Sequence, residues 1–181
     1  LDPGPLSTPF ACLRPLIAQL IFTEVFLGIA EGAFEEARQY TLREARPWFR
    51  SEVAEANADP YVLARYGEFW VGLESTRALV ERAAQRLDAA WSKGPALDAS
   101  ERGQLALAIA AAKVAATRNG LDLCNRMFEV TGARSTHAAL RLDRYWRNLR
   151  TQTLHDPLDY KIRELGDWAL NQSPPQPTFY S

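Results

Sequence analysis

The hydrophobic positions of this chain recur at helical spacing in three long stretches. In the first, from Pro15 to Arg43, apolar residues follow one another at intervals of three and four, which places them on one face of an α-helix. Phe22, Phe26 and Leu27 occupy other faces, so the first half of the stretch is apolar nearly all round. A helix with this pattern is usually buried by several neighbours.

Capping signals mark both ends of the second stretch. The segment 44–58 is predicted to be a loop, and Asp59 followed by Pro60 predicts a helix start with an acidic N-cap and a proline in the first turn. The pair Gly94 and Pro95 ends this helix shortly after residue 91 or 92, because proline cannot continue a helix.

A third long helix follows directly. Asp98 or Ser100 would cap it, and it runs from about Glu101 to Thr131 with an alanine-rich first half. Small side chains there let neighbouring backbones approach closely. Gly132 stands where a helix-terminating glycine belongs.

Two shorter helices complete the pattern. Ser135 would cap a fourth helix that ends near Leu154. Asp156 followed by Pro157 repeats the cap-and-proline start, and the fifth helix ends near Asn171.

Together these elements predict an all-α fold, namely an antiparallel four-helix bundle with an additional short C-terminal helix. Residues 1–14 are expected to form an arm or linker from missing upstream domains, residues 15–172 the bundle, and residues 173–181 an extended tail. The chain opens with Leu-Asp-Pro-Gly-Pro and no initiator methionine, which indicates a truncated or processed fragment.

Composition argues against several classes of function. The net charge is −1, with 21 Lys and Arg against 22 Asp and Glu, so the basic excess typical of nucleic-acid binders is absent. The apolar stretch from Leu16 to Ile29 is interrupted by polar residues and falls short of the ~20 residues that span a bilayer. Cys12 and Cys124 have no metal-ligand spacing, so we expect no metal site and a reducing, cytoplasmic setting.

The residues with potential chemistry lie mostly in the second half of the chain. The segment from Glu129 to Thr136 leaves one predicted helix through Gly132 and enters the next through Ser135. Backbone N–H groups at a helix start can bind an anion, but an ordinary helix–glycine–helix corner has the same pattern. Both interpretations stay open from the residues alone.

Three further features have a functional and a structural interpretation each. The arginines at positions 141, 144, 147 and 150 suit phosphate or carboxylate, or they form salt bridges to acids such as Asp122 and Glu129. His155, at a helix junction, can exchange protons near neutral pH or simply pack. Trp48, in a loop, would line a pocket or plug the end of the bundle, whereas the other tryptophans are expected to pack the bundle.

The order of these segments resembles a known superfamily. Gly-Ala-Arg-Ser-Thr, Leu-Asp-Arg-Tyr-Trp-Arg-Asn-Leu-Arg-Thr and Thr-Leu-His-Asp-Pro occur in that order between residues 129 and 157, similar to the segment of acyl-CoA dehydrogenases that leads to their catalytic loop. Arg-Pro-Trp-Phe at 46–49 resembles the loop after that superfamily's long helix. The resemblance covers about residues 15–172 and is closest to the reduced-flavin branch of dibenzothiophene and dimethylsulfone monooxygenases.

The resemblance implies a C-terminal helical domain that lies against a flavin, with contacts from a neighbouring subunit. By position, Arg46 is similar to the arginine that reaches a neighbour's flavin. Glu129, Gly132, Ala133 and Arg134 occupy the flavin-contact corner, although the family's usual glutamine is Glu129 here and its second glycine is Ala133. A carboxylate near a flavin phosphate needs a cationic partner, for which Arg134 or the arginine at position 147 is available.

The catalytic loop also departs from the dehydrogenase pattern. Dehydrogenases usually have Tyr-Glu-Gly there, and the glutamate abstracts the substrate α-proton, whereas this chain has His155-Asp156-Pro157. An aspartate before proline suits helix capping and not proton abstraction. In the monooxygenase branch, His155 resembles the active-site histidine that donates or accepts a proton near the flavin, and Trp48 would line the pocket.

We therefore expect the full-length protein to use reduced FMN, supplied by a separate flavin reductase, to oxygenate a small sulfur-containing or aromatic substrate. A homo-oligomer, a tetramer by the resemblance, is expected, and the isolated fragment should be inactive. The alternatives are the C-terminal domain of an FAD-dependent acyl-CoA dehydrogenase and a non-catalytic helical oligomerisation module. The flavin hypothesis also predicts that Gly132 and His155 converge beside one flavin ring.

Overall fold

The computed structural model describes residues 4–180, apart from the side chain of Pro5, and all regular elements in that range are helical. The predicted all-α class is confirmed. The five α-helices are α1 (Leu13–Arg43), α2 (Pro60–Lys93), α3 (Ala99–Thr131), α4 (Asp143–Thr153) and α5 (Leu158–Asn171). Short 3₁₀ turns lie at Gly4–Leu6, Ala56–Ala58, Gly94–Ala96, Ala133–Thr136 and Ala138–Leu140.

The predicted caps set the ends of the two long middle helices. The Asp59 carboxylate accepts a hydrogen bond from the backbone N–H of Tyr61 at 2.8 Å, with Pro60 in the first turn. Asp98, and not Ser100, caps α3 and forms a reciprocal capping box with Glu101. These side chains satisfy backbone N–H groups that a helix start leaves without partners.

The three long helices alternate in direction. The Thr41 hydroxyl lies 2.8 Å from that of Tyr66, and Glu31 pairs with Arg77 at 2.6 Å, so α1 and α2 are antiparallel. α3 returns alongside α2 and therefore lies parallel to α1. The predicted bundle is thus observed, with α4 and α5 completing it.

α3 forms the centre of the bundle and contacts the other four helices. Small residues allow this close packing: Ala112 and Ala116 are buried. At Gly120 a Cβ would lie only 2.8 Å from Cδ2 of Leu149 in α4 and 3.6 Å from Cβ of Ala30 in α1. The alanine-rich pattern of the sequence therefore marks the helix around which the others pack.

The fourth helix begins later than predicted. The Ser135 hydroxyl donates to the backbone oxygen of Gly132 at 2.7 Å and lies 2.7 Å from the Thr131 hydroxyl, inside a 3₁₀ turn. Arg141 then adopts a left-handed conformation with φ of 50°, and α4 starts at Asp143. The prediction that Ser135 caps α4 is wrong because its hydroxyl closes the preceding corner instead.

One face of α1 is exposed, contrary to the expectation that several neighbours bury it. Ile21, Phe22 and Val25 are 58%, 38% and 45% exposed, because the other helices cover the opposite face. By length and composition α1 could cross a membrane, but a core helix meets the same criterion. Its covered face includes the polar side chains of Gln19 and Thr23.

The tryptophans pack the bundle less than predicted. Trp70, Trp91 and Trp146 are each about half exposed. The ring of Trp91 lies 5.3 Å from that of Phe10, so the N-terminal segment covers one of its faces. Large aromatic residues therefore remain on the surface of this domain.

Candidate functional site

A cavity of about 550 Å³ lies at the end of the bundle where α1 and α3 terminate. It will be called the corner cavity. It brings together all the predicted flavin-contact residues and Trp48. Its lining comprises Ala45, Arg46, Pro47, Trp48, Arg50, Ser51, Ala56, Asp59, Tyr61, Val62, Arg65, Glu129, Val130, Thr131, Gly132, Ala133 and Arg134.

Backbone geometry shapes this cavity. Gly132 ends α3 with φ of 79°, a conformation that favours glycine. The following residues turn sharply, and the Arg134 guanidinium donates to the backbone oxygen of Glu44 at 2.8 Å. This bond joins the corner after α3 to the end of α1, so the two segments that line the cavity are held together.

The charge balance of the corner cavity is positive. Four arginines and two carboxylates line it. Glu129 is paired with Arg65 at 2.6 Å and with Arg126 at 3.6 Å. The expectation that Arg134 or Arg147 neutralises this carboxylate is wrong, because Arg147 instead pairs with an acid of its own helix. The pairing of Glu129 leaves Arg46 and Arg134 available to an anionic group.

Trp48 lines the corner cavity and does not plug the bundle. Its side chain is 68% exposed, and its ring lies 4.7 Å from that of Phe49, which is 80% exposed. The two rings form an apolar edge beside a cationic surface. Such an arrangement suits a ligand that has both a flat apolar part and an anionic part.

His155 lies elsewhere, in the turn between α4 and α5. It is exposed, its backbone N–H donates to Gln152 at 3.2 Å, and its ring lies 6.3 Å from that of Phe22. It lines a cavity of about 130 Å³, called here the junction cavity. The full lining is Pro15, Ala18, Gln19, Phe22, Phe26, Lys113, Gln152, His155, Asp156, Phe179 and Tyr180.

A buried lysine fixes the turn that contains His155. Lys113 of α3 is 3% exposed and donates to the side-chain oxygen of Gln19 at 2.5 Å and to the carboxylate of Asp156. Burial lowers the pKa of Lys113, and the bond to Asp156 opposes that shift. The prediction that Asp156 caps α5 is therefore wrong, because its carboxylate faces Lys113 and α5 starts without a side-chain cap.

The expected convergence of Gly132 and His155 does not occur within one chain. The corner cavity and the junction cavity share no lining residue. Asp156 is attached to α3 at Lys113, and Gly132 follows α3 at Thr131. The 18 residues of α3 from Lys113 to Thr131 span about 27 Å at 1.5 Å per residue.

Two of the four arginines between positions 141 and 150 form salt bridges, namely Arg144 and Arg147, although with other acids than those expected. Arg144 pairs with Glu36, and the hydroxyl of Tyr145 donates to the same carboxylate at 2.6 Å. Burial, followed by the hydrogen bond to Glu36, raises the pKa of Tyr145 to about 12. These contacts connect α4 to α1, so Arg144 has a structural partner.

Sequence reasoning missed Lys113 and Arg65 as parts of the two sites. Lys113 had one visible signal: it is the single charged residue between positions 103 and 117. A lone cation in a buried helix needs an anionic partner. Among residues 4–180, no group of three or more His, Cys, Asp and Glu side chains is placed to hold a metal ion.

Comparison with known proteins identifies the family. Residues 20–160 match the family model described as the C-terminal domain of acyl-CoA dehydrogenase. The chain belongs to this family. The segment matched includes Arg46, both sides of the corner cavity and His155.

Similar proteins include flavin-dependent monooxygenases. A probable FMNH2-dependent monooxygenase of Pseudomonas putida, SfnC, is 75% identical over 181 residues, which are 100% of this chain and 46% of that protein. The methanesulfinate monooxygenase MsuC of Pseudomonas fluorescens is 78% identical with a TM-score of 0.97, over 99% of this chain and 46% of that one.

A third relative has been solved with ligands. TdsC of Paenibacillus sp. A11-2, in complex with FMN and indole, is 45% identical with a TM-score of 0.91, over 94% of this chain and 43% of that one. The chain therefore spans less than half the length of the relatives it matches.

Proposed function

We propose that the full-length protein is a reduced-FMN-dependent monooxygenase that oxygenates a small organosulfur substrate, and that this chain supplies its helical flavin-contact domain. The observation that supports this most directly is the 78% identity to a methanesulfinate monooxygenase over 99% of the chain. Among the two substrate classes expected from the sequence, this relative favours a small sulfur-containing acid over a large aromatic compound.

We propose that FMN binds in the corner cavity. Arg46 and Arg134 offer guanidinium groups to the phosphate, and the open backbone at Gly132 and Ala133 permits close approach. The Glu129 carboxylate does not oppose an anion strongly because Arg65 is bonded to it at 2.6 Å. Reduced FMN, when bound, supplies the two electrons needed to activate O2, and a separate flavin reductase would provide it.

His155 is proposed to exchange the proton at the reacting centre. It is exposed on the junction cavity beside the ring of Phe22, and an imidazole can donate or accept a proton near neutral pH. By the resemblance, Asp156 aligns with the dehydrogenase base, but its carboxylate is bonded to buried Lys113. Removing an α-proton would require breaking that pair, which argues against the acyl-CoA dehydrogenase alternative.

Two protomers would be needed to complete one flavin site. About 27 Å of helix separates the corner cavity from the junction cavity, so we propose that the corner of one subunit and the His155 turn of another meet the same flavin. The exposed apolar side chains of Ile21, Phe22 and Val25 on one face of α1 support association, because large exposed apolar patches often mark interaction sites. We therefore propose a homo-oligomer, for which the resemblance implies four subunits. The free thiols of Cys12 and Cys124 suit a cytoplasmic location.

The test uses full-length protein with reduced FMN from a reductase, O2, and methanesulfinate, dibenzothiophene or indole in parallel. Oxygenated product from methanesulfinate is expected. A His155→Ala variant should lose most of the turnover, since general acid–base catalysis contributes about 10²–10⁴-fold. The matched control is His137→Ala, an exposed histidine whose ring accepts a bond from Ala139.

The outcomes separate the hypotheses. Normal turnover by His155→Ala would remove its proposed role. Tightly bound FAD that is reduced by an acyl-CoA would replace the monooxygenase proposal with the dehydrogenase alternative. Full-length protein that binds neither flavin would leave the oligomerisation module as the function of this domain.

A further inference from the structure

Among residues 4–180, no carboxylate is bonded to the buried guanidinium of Arg102. It lies in the first turns of α3 and is 1% exposed. One of its terminal nitrogens donates to the backbone oxygen of Pro175 at 3.4 Å, which is at the long limit of a hydrogen bond. Among the residues that the structure describes, Nε and the second terminal nitrogen, Nη2, have no hydrogen-bond partner.

This arrangement is costly unless an anion completes it. Arginine stays protonated in proteins, so burial leaves a charge with unsatisfied N–H groups, and burying an unpaired charge is strongly unfavourable. Burial lowers the pKa of Arg102, and electrostatic interactions with Cys12 and then Glu164 oppose the shift. Glu164, however, is bonded to Lys161 at 3.3 Å.

A cavity of about 430 Å³ lies beside this guanidinium, between the N-terminal segment, the start of α3, the end of α5 and the C-terminal tail. It will be called the tail cavity. None of the lining residues that the structure describes has an acidic side chain. Ala99 and Ser100, the first residues of α3, also line it, so the positive end of the helix dipole faces the same space.

The remaining lining indicates the kind of molecule that fits. Trp168 and four prolines supply flat apolar surfaces, and the volume lies within the usual range for small-molecule sites. Nε and Nη2 are the adjacent pair of nitrogens with which arginine holds two oxygens of one anionic group side by side. The backbone oxygen of Pro175 accepts its long bond from the other terminal nitrogen, Nη1, so a ligand at Nε and Nη2 does not need to break that bond.

We propose that the tail cavity binds a small organic oxyanion, a carboxylate or sulfonate on a compact apolar body, through the Nε and Nη2 atoms of Arg102. This inference is independent of the proposed flavin chemistry. Arg102 precedes Thr131 by 29 residues of α3, about 44 Å along the helix, so the site is separate from the corner cavity.

The experiment measures thermal unfolding of the full-length protein in chloride buffer with increasing benzoate or methanesulfonate, with neutral benzamide as the control compound. We expect benzoate, methanesulfonate or both to raise the midpoint saturably by a few degrees, and benzamide to leave it unchanged. Arg102→Met should abolish the response. Arg86→Met, which removes an exposed arginine bonded to the backbone of Gln104, should retain it.

The thermal midpoint of the Arg102→Met variant, measured without added anion, gives a second readout. If the cavity binds a free anion, replacing an unpaired charge by a side chain of similar shape should leave the midpoint unchanged or higher. A fall of about 10 °C would show instead that a carboxylate of the protein itself pairs with Arg102, and would overturn the proposal. So would the absence of any response to both anions.

Arg102→Lys keeps the test decisive if the methionine variant does not fold. Lysine retains the charge but offers a single point of contact instead of the planar fork. Binding of the anion should then weaken at least tenfold, and unchanged affinity would contradict the proposed contact.

Discussion

Replacing Lys113 by methionine would show how the His155 turn is held on the bundle. The side chains of Lys113 and Asp156 are 4% and 12% exposed, so the variant leaves a carboxylate with little access to water. Removing one member of a buried ion pair costs about 3–5 kcal/mol. Asp156 keeps some solvent contact, so we expect the loss to lie near the lower end, at about 3 kcal/mol.

For a domain of this size, a loss of about 3 kcal/mol lowers the thermal midpoint by about 6–12 °C. Circular dichroism of the full-length protein would measure it. The double variant Lys113→Met with Asp156→Asn should recover most of the loss, because no uncompensated charge remains. Lys93→Met is the matched control: its pair with Glu101 is exposed, so its effect should stay under about 1 kcal/mol.

The difference in stability between wild type and Lys113→Met should change with pH in a defined direction. Burial lowers the pKa of Lys113 below its ordinary value of 10.5. Between the folded and unfolded pKa values, the unfolded chain binds the proton and the folded chain does not, so stability rises with pH. The difference in midpoint between wild type and Lys113→Met should therefore widen from neutral pH towards 10.5. An unchanged midpoint, or a double variant as unstable as the single one, would refute the idea that this pair holds the turn.

Three further predictions concern packing, cofactor binding and thiol chemistry. Gly120→Ala would place a Cβ 2.8 Å from Cδ2 of Leu149 and should lower the free energy of unfolding, measured in urea, by about 1–3 kcal/mol. Gly67→Ala is the control: nothing lies within 4 Å of its Cβ, so the free energy of unfolding should rise by about 0.5–1 kcal/mol. Arg46→Ala should weaken FMN binding to the full-length protein about 10–100-fold in a fluorescence titration, and unchanged affinity would remove Arg46 from the site. Burial raises the pKa of the Cys124 thiol to about 12 from an ordinary 9.0. Between these two pH values the folded thiol keeps a proton that the unfolded thiol loses, so the stability of the fold decreases as pH rises. Rapid iodoacetamide labelling of native Cys124 at about pH 9 would contradict this.

The helices and their caps were predictable because local chemistry determines them. Asp59 with Pro60 and Asp98 with Glu101 satisfy backbone groups within a few residues of themselves, so sequence order contains the whole signal. The same local rule was wrong at Asp156, where a distant lysine is a stronger partner for the carboxylate than the helix start.

The candidate site was predictable only in part for the same reason. Arg46, Glu129 and Arg134 were expected together, and they do line one cavity. The separation of His155 from that cavity depends on where α4 and α5 pack along α3, which is a property of tertiary contacts. The partner of Glu129 was likewise missed, since Arg65 lies on another helix.

The length of α3 has a consequence for how such proteins can diverge. The corner cavity lies beyond one end of this helix and the tail cavity beside the other, while its middle is fixed by alanines against neighbouring backbones. Substitutions near either end can alter the ligand preference of one cavity without disturbing the other. The middle, by contrast, has no room for larger residues, so we expect evolutionary change to accumulate at the two termini of this helix and to be scarce between them.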